Sequence, residues 1–571
     1  MVTMWRGCIL FFCVLVITVH QGLSRNADDD DDTGMHDFSQ FRDYRVGADG
    51  GGGGNGGASN INEQEKQNKF WIDSAINTLI SRTHLQPNTK KAKNIILFLG
   101  DGMGVSTHTA ARIYQGQLNG QNGEENSLNF EKFPYTGLSK TYCVDSQVAD
   151  SACTSTAYTN GVKGSIGTLG LNGRVLYRDC KGSKDNTTHT ESIIHWAIKA
   201  GKSTGVVTTT RITHASPAGT YSHSANRDWE ADTDREASVD CQDIASQLIK
   251  NHPGHMINVL LGGGLKKFTL KKDGGQRLDE DLLLAYERMR QHHNQTYKIV
   301  KTKQELAAVN ASTKFLLGLF ADSHLEYEVD KQVDKNTKVK DQPSLTEMTQ
   351  KAIEVLSKNQ NGFYLFVEGG KIDIGHHGNK AKKALTETIE FDNAIKKALQ
   401  ITNPDETLIV VTADHSHTFT IAGYPDRGNK ILERVRYDGH DLLGLDKLPY
   451  LTLGYNNGPG FRPAERNGYR HDINLDKTDD KDYRIPSGIP LEYETHGGED
   501  VAVFSNGPWA HLLVGNFEQN YIPIVMAYAA RIGPAKDVPL VSAAVSAGPT
   551  ETLLIAVVSL VVCKFLAKYS K

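Results

Sequence analysis

Four short apolar segments each run directly into residues that can bind metal or phosphate. The segment 94–99 is followed by Gly100, Asp101, Gly102, Met103 and Gly104. The segment 205–209 leads to Arg211, Thr213, His214 and Ser216. The segment 363–367 leads to Glu368, Lys371, Asp373, His376 and His377, and 407–412 leads to Asp414, His415, Ser416 and His417. Several carboxylates gathered in one crevice would repel one another and raise each other's pKa values, so such a set calls for cations. Mixed His and Asp ligands suit zinc, and all-oxygen sets suit magnesium. Two or more metal ions are the simplest reading. One Asp after a strand is ordinarily a helix cap or loop residue, but four strand ends doing the same thing are not explained that way.

A candidate nucleophile is Ser151, in Ala149-Asp150-Ser151-Ala152-Cys153-Thr154. The spacing predicts a helix start here, whose first N–H groups would face a phosphate oxygen. An N-cap serine is the competing reading. No histidine need act as its base, since a zinc ion can hold the alkoxide as it holds a bound hydroxide. The run Gly100-Asp101-Gly102-Met103-Gly104 lacks the spacing of a dinucleotide loop, and its Asp would repel a pyrophosphate.

These groups must be positioned by strands and helices in alternation. From about 70 to 532, short apolar runs alternate with amphipathic stretches, predicting an α/β fold with a large, mostly parallel central sheet and helices on both faces. Helices are expected over 191–199 and 382–399, the latter carrying Leu385, Ile389, Asp392, Ile395 and Leu399 at helical spacing. Ligands bind at the carboxyl edge of such sheets, so parallel neighbours would bring the four strand ends together. Residues 424–490, rich in Gly, Pro and charge, read as a crown-like surface excursion from one domain spanning 62–535. Residues 25–61, with the acid run Asp28–Asp32 and the glycines of 50–57, read as a disordered leader.

The two ends look like addresses. Residues 1–24 have the grammar of a signal peptide cut near Ser24. Residues 536–571 contain Ser542-Ala543-Ala544, a spacer and the apolar run Leu553–Cys563, which suggests a glycosylphosphatidylinositol (GPI) anchor attached at Ser542, with Ser546 as second choice. A transmembrane segment is the rival, though the run is short for one. Sequons at Asn186, Asn294 and Asn310 fit a secreted chain displayed on the extracellular face of the cell membrane. A net charge of −4 argues against nucleic acid as a partner. Of seven cysteines, Cys8 and Cys13 leave with the signal and Cys563 with the tail. Cys143, Cys153, Cys180 and Cys241 remain, and spacing leaves all three full pairings open.

The motifs also occur together in a known family. Phe98-Leu99-Gly100-Asp101-Gly102-Met103-Gly104-Val105-Ser106, Asp150-Ser151 with Thr156-Ala157-Tyr158, and His214-Ala215-Ser216-Pro217-Ala218-Gly219-Thr220-Tyr221 occur in order. Next along the chain come Val367-Glu368-Gly369-Gly370-Lys371-Ile372-Asp373, Thr412-Ala413-Asp414-His415-Ser416-His417 and Glu494-Thr495-His496-Gly497-Gly498-Glu499-Asp500. This set resembles the alkaline phosphatases, particularly the membrane-bound animal enzymes. The resemblance implies hydrolysis of phosphate monoesters through a phosphoseryl intermediate on Ser151, with two zinc ions and one magnesium ion per chain. One zinc would be held by Asp373, His377 and His496, and the other by Asp101, Asp414 and His415 with Ser151. Magnesium would take Asp101, Ser216 and Glu368. Arg227 would clamp the phosphate with its planar fork. His214 and His417 would stand behind the ligands, His417 orienting a ligand carboxylate. Tyr424 resembles a residue that reaches toward the second subunit of a homodimer. The resemblance also pairs Cys180 with Cys241 and leaves Cys143 and Cys153 without an assigned partner.

There are departures. Ile374 stands where relatives have Lys or His. Ala321 follows Phe320 where vertebrate relatives carry Glu, and the loop after Gly264 is shortened, so calcium is not expected. Two other functions compete with the phosphatase reading: a surface-displayed receptor with a vestigial site, and a related hydrolase of phosphodiesters or sulfates. The complete ligand set with Ser151 argues against both.

Overall fold

The run Asn94–Gly100 forms β1, and every residue from Ile95 to Leu99 is fully buried. A strand apolar at consecutive positions must be covered on both faces, and β1 lies inside a ten-stranded sheet that meets that requirement. The computed structural model describes residues 63–540 apart from 237–239, 335–336, 466–467 and 469. The segments read as signal peptide and leader, and the tail with Ser542 and Ser546, lie outside the described residues.

The sheet strands are β1, β2 (Tyr135–Lys140), β3 (Ser203–Arg211), β4 (Val259–Gly263), β5 (Tyr297–Val300), β6 (Phe315–Leu319), β7 (Phe363–Glu368), β8 (Thr407–Ala413), β9 (Val501–Asn506) and β10 (Gly515–Glu518). Their spatial order is β10-β2-β9-β8-β1-β7-β3-β4-β6-β5. All neighbours from β8 to β5 are parallel, while β9 runs antiparallel to β8 and β2. The four strands with chemistry at their ends, β8, β1, β7 and β3, are thus consecutive. Register sets Leu99 beside Glu368, Gly100 beside Ala413, and Thr208 beside Glu368.

The helix α1 (Asn68–Thr83) buries no residue, while α2 (Val105–Leu118), α3 (Ser151–Asn160), α4 (Ile193–Lys199), α5 (Leu345–Leu356), α6 (Lys371–His377) and α7 (Ala381–Ile401) cover the sheet or carry site residues. Side chains alternate across β1, so Ile96 and Phe98 pack with α5 and α7 on one face. Ile95, Leu97 and Leu99 pack with α3 and α4 on the other. Phe98 meets Phe391 edge-to-face with centroids 5.9 Å apart, and burying each such ring contributes about 1.5–3 kcal/mol. On α7, Leu385 and Ile395 are buried, whereas Ile389 and Leu399 are only partly so. Asp392 is fully buried and paired: it accepts from the backbone N–H and the side-chain amide of Asn129, each at 2.6 Å.

Among the described residues, 424–490 contribute no strand to the ten-stranded sheet. Leu453–Gly458 and Ser487–Pro490 join Phe419–Ile421 in a small separate sheet, while Ile431, Leu432 and Ile485 pack into the main core. Disulfides join Cys180 to Cys241 and Cys143 to Cys153. The second pair supplies the partner that the family resemblance leaves open.

Candidate active site

At the carboxyl edge of β1, Asp101 is fully buried, and Asp414 lies at the equivalent place after β8. Asp414 Oδ1 accepts from the backbone N–H of Gly102 and of His415, both at 3.0 Å. Gly102 has φ +67°, and a Cβ there would stand 2.3 Å from His417 Nε2. Only glycine lets the β1 turn press this closely on the imidazole.

α6 begins just after β7, and a spacing of four puts Asp373 and His377 on one helix face. Asp373 Oδ1 lies 3.3 Å from His377 Nε2 and 3.4 Å from His496 Nε2. The two Nε2 atoms are 3.1 Å apart. His496 arrives from far along the chain through a short antiparallel ladder that sets it opposite His417. The outer nitrogens are committed: His377 Nδ1 is 2.5 Å from the Glu494 carbonyl and His496 Nδ1 is 2.7 Å from the Ala149 carbonyl. A carbonyl only accepts, so each Nδ1 carries a proton, and the two Nε2 atoms are left on the side where a metal ion would sit. A tetrahedral zinc with bonds of about 2.0–2.1 Å spaces its ligand atoms by roughly 3.3 Å, which this triangle matches.

Beside it, His415 Nε2 lies 3.2 Å from Asp414 Oδ2, 3.7 Å from Asp101 Oδ1 and 3.2 Å from Ser151 Oγ. The His415 and His496 rings stack with centroids 3.5 Å apart, so the two ligand groups are neighbours. Behind Asp101, Ser216 Oγ donates to Asp101 Oδ2 at 3.4 Å. Glu368 Oε2 accepts from the hydroxyls of Thr208 and Thr210. A ring nitrogen of His214 also comes close enough to Asp101 and Glu368 to share an ion with them. This places His214 nearer to that group than an orienting role alone requires.

Three buried carboxylate oxygens, Asp101 Oδ1, Asp414 Oδ2 and Glu368 Oε1, have no hydrogen-bond partner. Leaving such atoms unpaired is costly, and cations bound in the neighbouring groups would satisfy all three. The electrostatics agree. Burial, together with Asp414, Asp373 and Glu368, drives the Asp101 carboxyl well above its usual range. Burial also raises Glu368 to about 7. Asp373 is different: burial would raise it, but His377, His417 and His496 outweigh that and hold it well below the ordinary range. His417 donates toward Asp373 Oδ1 at 2.9 Å and is held from behind by Glu494 Oε2 at 2.5 Å. Burial opposes its charge, but Glu494 and Asp373 raise it to about 10. The donor set therefore fits two nitrogen-containing cation sites and one oxygen-rich site.

Ser151 is the first residue of α3, and the cap is Asp150 rather than the serine itself. Asp150 Oδ1 and Oδ2 accept from the N–H groups of Cys153 and Ala152. The expectation that the first helix N–H groups face a phosphate is therefore corrected for these two, because a carboxylate one residue upstream already occupies them. The same carboxylate holds Arg227, whose Nη1 is 3.0 Å from Asp150 Oδ2. Burial would lower the Arg227 guanidinium, but Asp150 raises it above its ordinary value. Its side chain keeps 21% exposure, enough to meet a ligand from solvent.

Two features escape a sequence reading. Glu494 holds His417 by its side chain and His377 by its carbonyl, yet its only signal is its place two residues before His496. Thr208 and Thr210 look like ordinary strand residues until β3 lies beside β7.

Known proteins share this architecture. Residues 92–532 match the alkaline phosphatase family model. The chain belongs to the alkaline phosphatase family. It is 43% identical to the membrane-bound alkaline phosphatase of Bombyx mori, over 86% of this chain and 90% of that one. It is 45% identical to the tissue-nonspecific alkaline phosphatase of Homo sapiens, over 83% and 91% respectively. Among solved structures, the alkaline phosphatase of the Antarctic bacterium TAB5 covers 78% of this chain and 99% of its own, with 24% identity and a TM-score of 0.52. That of Thermus thermophilus covers 77% and 92%, with 23% identity and a TM-score of 0.54. At those identities the likeness is one of fold.

Proposed function

We propose that this chain hydrolyses phosphate monoesters to an alcohol and inorganic phosphate through a phosphoseryl intermediate on Ser151. The observation that carries the reading is the convergence of the β8, β1, β7 and β3 edges on one buried centre, with Ser151 Oγ 3.2 Å from His415 Nε2. Asp373, His377 and His496 would hold one zinc ion. Asp101, Asp414 and His415, with Ser151, would hold the second. Asp101, Ser216 and Glu368 would hold magnesium, with His214 beside them. Bound there, the cations would neutralise the carboxylates and keep the Ser151 oxygen and the departing oxygen anionic.

The chain's own residues do the rest. The Ser151 oxygen forms a bond to phosphorus as the bond to the alcohol oxygen breaks, and the alcohol leaves with a proton from solvent. A water oxygen then bonds to phosphorus, its proton passing to solvent, as the serine–phosphorus bond breaks, which returns the Ser151 oxygen as the anion it began as and releases phosphate. Arg227 offers two N–H groups to the phosphoryl oxygens, and Asp150 fixes the direction of that fork. Catalysis of this kind is mainly positioning and charge stabilisation.

The wider setting belongs to the same proposal. The Bombyx mori relative is named membrane-bound, and among the described residues no helix is long and apolar enough to cross a membrane. The relative's name fits a GPI anchor at Ser542 and display on the outer cell surface. Asn186, Asn294 and Asn310 are all exposed, as glycan attachment requires. α1 buries no residue of its own and exposes Trp71, Ile72, Ile76, Leu79 and Ile80. Such a face, with Tyr424 56% exposed elsewhere, supports a homodimer. Hydrolysis of a simple aryl phosphate across pH, before chelation, after it and after return of zinc and magnesium, tests the reading. Activity that survives exhaustive chelation would overturn it.

A further inference from the structure

The disulfide between Cys143 and Cys153 closes a loop with a sequence separation of only 10, and that loop contains Ser151. Besides the contact of Ser151 with His415, three links to the rest of the site leave from inside it. Ala149 gives its carbonyl to His496 Nδ1 at 2.7 Å. Asp150 holds Arg227 Nη1 at 3.0 Å. Asp150 Oδ1 also accepts from Gly167 N–H at 2.9 Å, and the Gly167 carbonyl accepts from Arg227 N–H at 2.9 Å. The crosslinked loop is thus bound to the arginine by both its side chain and its backbone.

Residues 144–148, between the first cysteine and the start of α3, have little else to hold them. Val144, Asp145, Gln147 and Val148 are exposed. Their anchors on neighbouring chain are Val144 N–H to the Gly164 carbonyl at 3.1 Å and Ile166 N–H to Asp145 Oδ1 at 2.8 Å. At the ends of the loop, Cys143, Ala149 and Cys153 form a small buried cluster of their own, with both cysteines 2% exposed. In the chain-entropy account a short loop gains less stability from a crosslink than a long one, and the other disulfide spans 61 residues. The crosslink at this place thus contributes less to stability than the other one, and its position around Ser151 is the feature that sets it apart.

We propose that Cys143 and Cys153 are positioning residues for the phosphoryl-transfer site. Their bond fixes the Ala149-Asp150-Ser151 segment, so that Asp150 aims Arg227 at the phosphoryl oxygens and Ala149 holds His496. The inference rests on the phosphatase reading of Ser151 and Arg227. It does not require the bond to be broken or formed during turnover.

The test compares the full chain with the double variant Cys143→Ser/Cys153→Ser and, as a second form, Cys143→Ala/Cys153→Ala. Each is assayed well below its measured melting temperature. The probe is inorganic phosphate, with its dissociation constant read by calorimetry and its inhibition constant read by kinetics. A misaimed fork weakens phosphate binding about fivefold or more in both readouts and lowers kcat/KM with it. A folded variant with a lower melting temperature but unchanged phosphate constants would overturn the proposal and leave the crosslink a stabilising element. Failure of both variants to fold would overturn it in the same way. If the unmodified chain itself neither hydrolyses aryl phosphate nor binds phosphate, it is the phosphatase reading that fails.

Discussion

The Nε2 atoms of His377 and His496, residues 119 positions apart in sequence, face one another at 3.1 Å while both Nδ1 atoms are committed to carbonyl oxygens. Two imidazole nitrogens at that distance, with the Asp373 carboxylate alongside, have the spacing of ligands around one zinc ion. Purified protein should therefore contain about two zinc ions and one magnesium ion per chain. His496→Ala should lower zinc to about one. Calcium should not appear at stoichiometric occupancy, because Ala321 supplies no carboxylate. Elemental analysis checks all three expectations, and a single metal per chain would defeat the assignment.

Ser151→Ala should remove the phosphoseryl intermediate and lower kcat/KM by about a thousandfold or more, equivalent to about 4 kcal/mol. Metal content should fall little, since Ser151 is one of four proposed ligands, with Asp101, Asp414 and His415. Acid trapping of the phosphorylated protein, then peptide mass spectrometry, is the check. A label on any other residue would reject Ser151.

Arg227→Ala should weaken inorganic phosphate inhibition by about ten- to a hundredfold, the scale of a lost charge-assisted hydrogen bond. Arg227→Lys should recover only part of this, because a point charge cannot make the two-pronged contact. Equal behaviour of the lysine and arginine enzymes would mean that the planar fork is not used.

Stability should carry an acid limb from His223. Burial, with the His189 ring stacked 4.1 Å away, pushes its imidazole down from 6.5 to about 4. Between those values the unfolded chain binds a proton that the folded chain refuses, so this contribution falls as pH drops from 6.5 to 4 and levels off below. His223→Gln should flatten that part of the melting-temperature profile. An unchanged slope would remove His223 as the source.

The anchor expectation is independent of the catalytic centre. Phosphatidylinositol-specific phospholipase C should release active enzyme from membranes, and mass spectrometry of the released C-terminal peptide should end at Ser542. A protein that keeps its last lysine and stays in the membrane after that treatment would mean a transmembrane segment instead.

The sequence alone determined the elements and the chemistry they carry. Apolar runs such as 94–99 and 407–412 have no polar alternative, so they become fully buried strands, and the groups delivered at each strand end are fixed by the order of residues. What the sequence could not determine were relationships across the chain. That β8, β1, β7 and β3 lie side by side is a choice of topology, and only that choice turns four separate loops into one buried centre. The pairing of Cys143 with Cys153, the grip of Glu494 on two histidines, and the use of Asp150 as both helix cap and arginine clamp depend on distances between residues that local propensity never compares. Those contacts were settled by tertiary packing, where a buried charge or lone pair must find a partner wherever the fold supplies one.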